Sequence, residues 1–223
     1  MSKLEEGCFT IEFTSSAIVQ NMPENFLAEI KGRILYQELE SGNADSLLAG
    51  KLRAFYVDIE GAIEHDEDLS DIFDLEYTTE PFYLALFDPK TNEFNKYVRQ
   101  PFGRDVIDDS VNLLILDRLE ILPEYRGEGL GLACLYRCMQ QYQHGCGIVA
   151  MKPFPLQFEP VRGSEDDDPW RQSLNLKAFG RDEKACTKKL ESYYRRLGFK
   201  ILGTGVMAAI PHYAEPLDFP KPG

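Results

Sequence analysis

The chain is poor in the residues that build metal clusters. It holds three histidines, far apart, and five cysteines with no C-x-x-C pair among them. That is a weak zinc set, and the odd thiol count fits a reducing compartment with free cysteines. Cys134 and Cys138, four apart in a helical pattern, read as small buried apolar side chains. No apolar run approaches the roughly 20 residues needed to span a bilayer. The segment Met1–Glu6 carries acids where a secretory leader has a basic start. The expectation is a cytosolic protein with no membrane partner. Cations are also scarce, 24 Lys and Arg against 37 Asp and Glu, a net charge of −13. Phosphate neutralisation needs clustered Lys and Arg, so the charge argues against nucleic acid as a partner, and none is expected. An acidic protein attracts a cationic acceptor such as an amine or a basic peptide. Acidic surfaces also keep proteins dissolved, so charge alone leans only slightly towards an amine.

At 223 residues the chain can bury a substantial core, and one elaborated domain is the simplest count. Cys8–Thr14 alternates apolar and polar residues and predicts a first strand. Asn21 to Gly50 reads as mainly helical, with Phe26, Leu27, Ile30 and Ile34 at helical spacing. The run from Leu52 to Ile59 predicts a strand, Glu64–Leu75 a short helix, and Phe82–Phe87 a compact apolar strand before the turn Asp88-Pro89. Acids near Glu64–Asp74 suit a helix start, and Glu165–Asp168 suits a solvated loop. Both could alternatively recognise a cationic acceptor.

Asn112–Leu122 is strand or helix by apolar content, and Pro123 ends it. Leu132, Leu135, Tyr136 and Met139 predict a helix closed by Gly145, and Gly147–Met151 a buried strand. Strand, glycine loop, helix and strand make a βαβ unit with parallel strands. Residues 152–181, with Pro153, Pro155, Pro160 and Pro169, break the pattern and predict an inserted loop or lid. Asp182–Leu197 is a helix with the stripe Cys186, Leu190, Tyr193, Tyr194 and Leu197, stopped by Gly198. Two short strands, Phe199–Gly203 and Val206–Ile210, and a tail from 211 to 223 follow.

The chemistry-bearing stretch is Arg126-Gly127-Glu128-Gly129-Leu130-Gly131, between strand and helix. Amides opening a helix are unpaired and partly positive, and glycines let backbone approach a phosphate. Arg126 adds a cation. A dinucleotide fingerprint needs glycine where Leu132 stands, and no Gly-Lys-Ser/Thr follows for a P-loop. The bland alternative is a tight strand-to-helix connection with no ligand.

Arg126-x-x-Gly129-x-Gly131 resembles the [Gln/Arg]-x-x-Gly-x-[Gly/Ala] signature of the GNAT acyltransferase superfamily. Tyr194-Arg195-Arg196-Leu197-Gly198-Phe199 resembles that family's Tyr-x-x-Leu-Gly-Phe helix ending. The likeness covers Asn112–Met151 and Asp182–Ile210. It implies an α/β (α+β) fold with a mixed central sheet flanked by helices and splayed parallel strands at an acyl-CoA site. Residues 1–111 would form the acceptor-side half. The implied activity is transfer of an acetyl group from acetyl-CoA to a primary amine of a small molecule or peptide.

By the same resemblance, backbone groups of Leu119, Glu120 and Ile121 pair with the pantetheine arm. The amides of Gly127, Glu128, Gly129, Leu130, Gly131 and Leu132, with Arg126, hold the diphosphate. Tyr194 occupies the position that protonates the departing thiolate; the bland reading is that it only packs, and Tyr193 is the adjacent fallback. Asp117 is the candidate base, or else a carboxylate paired with an arginine. Glu120 is the second candidate, expected on the opposite face from Asp117 by the period of two. Thr187 stands where the family often has a pantetheine-binding asparagine. The rival is a non-catalytic acyl-CoA-binding or regulatory module.

Overall fold

A computed structural model describes residues 3–39, 46–103, 110–160 and 168–214. Glu165, Asp166, Asp167 and the tail beyond 214 lie outside the described residues. A short helix α1 (Lys3–Glu6) leads into strand β1 (Gly7–Ser15). Strands β2 (Leu27–Glu38) and β3 (Leu47–Val57) follow, then helices α2 (Ile59–Glu64), α3 (Leu69–Asp74) and α4 (Glu80–Leu86). A two-residue ladder of β4 (Phe87–Asp88) with β5 (Glu93–Phe94) precedes α5 (Lys96–Phe102). The second half runs β6 (Leu113–Ile121), α6 (Leu130–Tyr142), β7 (Ile148–Met151), α7 (Pro169–Ser173), α8 (Glu183–Tyr194), β8 (Lys200–Ile201) and β9 (Met207–Ala209).

The main sheet has seven strands in the order β1-β2-β3-β6-β7-β9-β8. It is antiparallel except at β6–β7, where Leu113–Leu116 pair in parallel with Ile148–Met151. This is the βαβ unit anticipated around the glycine loop. Alternation along the central strands feeds two cores. Phe55, Val57, Leu113, Ile115, Ile148 and Ala150 face α2 to α5, where Ile59, Ile72, Phe73 and Leu86 are fully buried. Leu52, Ala54, Leu114, Leu116, Val149 and Met151 face α6 through Leu132, Leu135 and Met139. Each face is thereby closed by helices, which is why the central strands carry apolar residues on both sides. No described helix is long and apolar enough to cross a membrane.

Two expectations are overturned. The described residues of Asn21–Gly50 are mainly strand, with only a 3-10 turn at Pro23–Phe26, and not mainly helix. Ile30, Gly32, Ile34 and Tyr36 are buried in alternation along β2, which hydrogen-bonds to β1 on one side and β3 on the other. Ile30 and Ile34 sit four apart, a spacing common to both periods, and the neighbouring strands decide between them. Phe82–Phe87 is not a strand. Pro81 occupies the first turn of α4, where its missing N–H costs nothing. Phe82, Tyr83, Ala85 and Leu86 then bury a helical face, with the Tyr83 ring 5.7 Å from Phe73. The short helix expected within Glu64–Leu75 is α3, which starts at Leu69, after Asp66 adopts φ 58° and Asp68 caps it by accepting from the Ser70 amide at 2.8 Å.

The thiols are all free. Cys134, Cys138 and Cys146 are buried, and burial pushes each thiol up to about 12.

Candidate functional site

Strand β6 outlasts its parallel neighbour. Their last pair is Leu116 with Met151, and Pro153 and Pro155 follow, so the chain leaves the sheet there. From Asp117 to Ile121 the strand is held by β3 alone. The fork opens where the β3–β6 register slips: Arg53 pairs with Arg118 and Ala54 with Leu116, which leaves Asp117 as the extra residue of a bulge. The Glu120 carbonyl lies against Gly50 and so faces β3. Alternation then turns the backbone of Leu119 and Ile121 to the open edge. The Ile121 carbonyl accepts from Arg126 Nε at 2.7 Å, and the Leu119 N–H and C=O meet no strand. The Glu120 carbonyl is thus on the β3 side and not on the open edge, where the resemblance placed it with Leu119 and Ile121.

Beyond β6 the chain turns at Pro123–Tyr125 and enters α6 through Gly127 (φ 95°) and Gly129 (φ 89°), left-handed conformations that a Cβ disfavours. The first helical bond runs from the Ala133 amide to the Gly129 carbonyl. The amides of Leu130 and Gly131 have no hydrogen-bond partner among the described residues. The Leu132 amide does have one: it donates to the Tyr193 hydroxyl at 3.0 Å. Glu128 is exposed and does not line the groove described next.

The open edge and the helix start border one groove of about 470 Å³. Its sides are Leu119, the loop residues Arg126, Gly127, Gly129, Leu130 and Gly131, and the face of α8 that carries Tyr193 and Tyr194. Its remaining wall is built by Phe154, Leu174 and Phe179 of the segment 152–181. Arg126 ties the loop to that wall. Its Nη2 donates to the Leu174 carbonyl at 2.6 Å and its guanidinium lies 4.8 Å from the Phe179 ring. Burial depresses its pKa. Arg126 is thus fixed in place by two carbonyls and still lines the groove, as do Lys189 on α8 and Arg196 in the turn that follows it.

Tyr194 stacks edge-on with Tyr193 and Phe199, at 5.6 and 6.5 Å between ring centres. Its hydroxyl has no hydrogen-bond partner among the described residues, and burial pushes the phenol up to about 12. The groove therefore holds a protonated donor with nothing to donate to. Thr187, by contrast, gives its hydroxyl to the Glu183 carbonyl one turn back and does not line the groove; Cys186 and Lys189 beside it do.

The two carboxylates on β6 are both engaged. Asp117 Oδ2 accepts from Arg53 Nε at 2.6 Å. Glu120, nearly buried, accepts from Arg118 at 2.9 Å through Oε1 and from Trp170 Nε1 at 2.7 Å through Oε2. Arg118 also bonds Glu159, which bonds Arg171. Burial pushes the Glu159 carboxyl up, but the two guanidinium partners outweigh it and leave it below the usual carboxylate range. The Arg53 guanidinium lies over Phe55, and Lys51, two residues earlier, lies over Trp170 at 4.0 Å. Asp117 and Glu120 thus share one face of the sheet, against the alternation expected for them. The extra residue at the bulge shifts the period by one.

Comparison with known protein families, with curated proteins and with solved structures finds no match. What the site offers must be read from its own parts. An apolar-walled groove presents an open strand edge, two helix-start amides without a partner among the described residues, three cations and a protonated phenol. Hydrogen-bonding amides and an anionic group are the ligand chemistry that would complement that set. The insertion and Tyr193 were both visible in the sequence, but not that Phe154, Leu174 and Phe179 wall the groove or that Tyr193 bonds the Leu132 amide, because those contacts are long-range.

Proposed function

We propose that the chain is an acyl-CoA-dependent N-acyltransferase of the GNAT type, moving an acetyl group from acetyl-CoA to a primary amine. The observation that carries this reading is the fork at Asp117, which leaves the β6 edge open beside the unpaired start of α6. A pantetheine arm has two amides and adds to the Leu119 edge as a short strand. The diphosphate takes the Leu130 and Gly131 amides, with Arg126, Lys189 and Arg196 supplying positive charge. Other features of the family, the splayed strands and the Tyr-x-x-Leu-Gly-Phe ending, belong to the same proposal.

In the reaction the amine lone pair attacks the thioester carbonyl, a C–N bond forms and the C–S bond breaks. The leaving sulfur takes its proton from Tyr194, and the amine proton leaves to water or to Asp117. Tyr194 lies on the α6 side of the sheet and Asp117 on the other. Donor and acceptor accordingly approach the fork from opposite faces.

Calorimetry and thermal melting with millimolar acetyl-CoA test the reading, followed by thiol release with a panel of amines. Binding with amine-dependent thiol release is expected; no heat and no shift in melting would overturn it. A second reading, a non-catalytic acyl-CoA-binding module, is favoured by one observation, the engagement of Asp117 by Arg53. Tight binding without thiol release for any amine would decide for it.

A further inference from the structure

The Tyr193 hydroxyl accepts the Leu132 amide and stands at the groove beside the free amides of Leu130 and Gly131. A phenol has one proton to give, and among the described residues that proton has no acceptor. Room for the oxygen depends on Gly131, since a Cβ there would lie 2.8 Å from it. The tyrosine in effect replaces the third amide of the helix start with an O–H that reaches further into the groove. Donation from Leu132 polarises the phenol and strengthens it as a donor. Burial also holds the phenol protonated at neutral pH.

We propose that Tyr193 is a ligand-binding residue: its hydroxyl, anchored by the Leu132 amide, donates to a diphosphate oxygen of the acyl donor alongside the Leu130 and Gly131 amides. The proposal deepens the acyl-CoA reading and rests on it. It separates the paired tyrosines by role, Tyr193 for the diphosphate and Tyr194 for the thiolate.

The test measures CoA binding by calorimetry for the full chain and its Tyr193→Phe and Tyr142→Phe variants, Tyr142 being a tyrosine of the same core that does not line the groove. A charge-assisted hydrogen bond predicts a loss of about tenfold or more in affinity for Tyr193→Phe, with Tyr142→Phe within about twofold of the parent. The 31P resonances of bound CoA supply a readout that packing alone would not move. The diphosphate signals should shift in Tyr193→Phe while the 3′-phosphate signal stays. Equal affinity in all three proteins, or equal loss in both variants, overturns the proposal. Absence of CoA binding by the parent chain overturns the acyl-CoA reading itself, a different result. If Tyr193→Phe fails to fold, Gly131→Ala, whose methyl displaces the phenol oxygen, carries the same expectations.

Discussion

Arg53 Nε lies 2.6 Å from Asp117 Oδ2, across the register slip that opens the fork between β6 and β7. The bulge makes this contact possible, because it gives Asp117 no direct partner on β3 and lets its carboxylate lean towards a neighbouring guanidinium. Asp117 Oδ1 is left without a hydrogen bond among the described residues. If that oxygen receives the amine proton, Asp117→Asn lowers turnover by about a hundredfold with little change in CoA affinity. Steady-state kinetics check this, and unchanged turnover assigns the proton to water. Truncating Arg53 to Ala leaves the carboxylate uncompensated and should cost about 1–3 kcal/mol of stability in urea unfolding.

Tyr194→Phe removes the unpartnered donor while keeping the ring between Tyr193 and Phe199. Turnover should fall by about a hundredfold or more. An acid acts only while protonated, and burial raises this phenol to about 12. The parent enzyme should therefore show no loss of rate from Tyr194 ionisation as pH rises from 7 to about 10, the ordinary tyrosine value. A pH–rate profile with an alkaline limb that Tyr194→Phe abolishes in that range would contradict it.

The buried thiols set the alkaline limit of stability. In the unfolded chain they ionise near about 8.5, whereas Cys134, Cys138 and Cys146 in the fold are raised to about 12. The unfolded state thus releases protons first, so the stability these groups contribute is full below about 8.5 and declines as pH climbs towards 12. Urea midpoints should drop between pH 8 and pH 10. In the native protein a thiol reagent should label exposed Cys8 and half-buried Cys186 rapidly and the other three only on unfolding.

Gly129 holds φ 89° at the entrance to α6. Valine disfavours that conformation strongly and would turn the helix-start amides away from the groove. Gly129→Val should abolish CoA binding. Trp170, the chain's only tryptophan, bonds Glu120 at the groove's edge and reports the event without a label. Its emission should change on adding CoA to the parent protein and stay constant in Gly129→Val; retained binding in the variant would sink the loop assignment.

The parts of the site that were legible in the sequence are local. The glycine spacing, the strand before it and the helix after it are consecutive in the chain. Gly129 and Gly198 adopt the left-handed conformations that their places at helix ends require. The tyrosine pair falls on the groove because one helical stripe carries both. The first half of the chain was read less well. Apolar side chains four apart suit a helix or a strand, and only the pairing of β2 with β1 and β3 selects the strand.

By itself the amino-acid order determined the βαβ unit, the glycine-opened helix and the burial of Cys134 and Cys138, because each follows from spacing within a few turns of chain. Tertiary structure alone decided where charges and phenols point. A single extra residue at Asp117 reverses which face Glu120 presents, and Arg126 is drawn to the carbonyls of Ile121 and Leu174. Tyr193 reaches an amide 61 positions away. Such contacts depend on register and on distant segments meeting in space, and no short-range pattern encodes them.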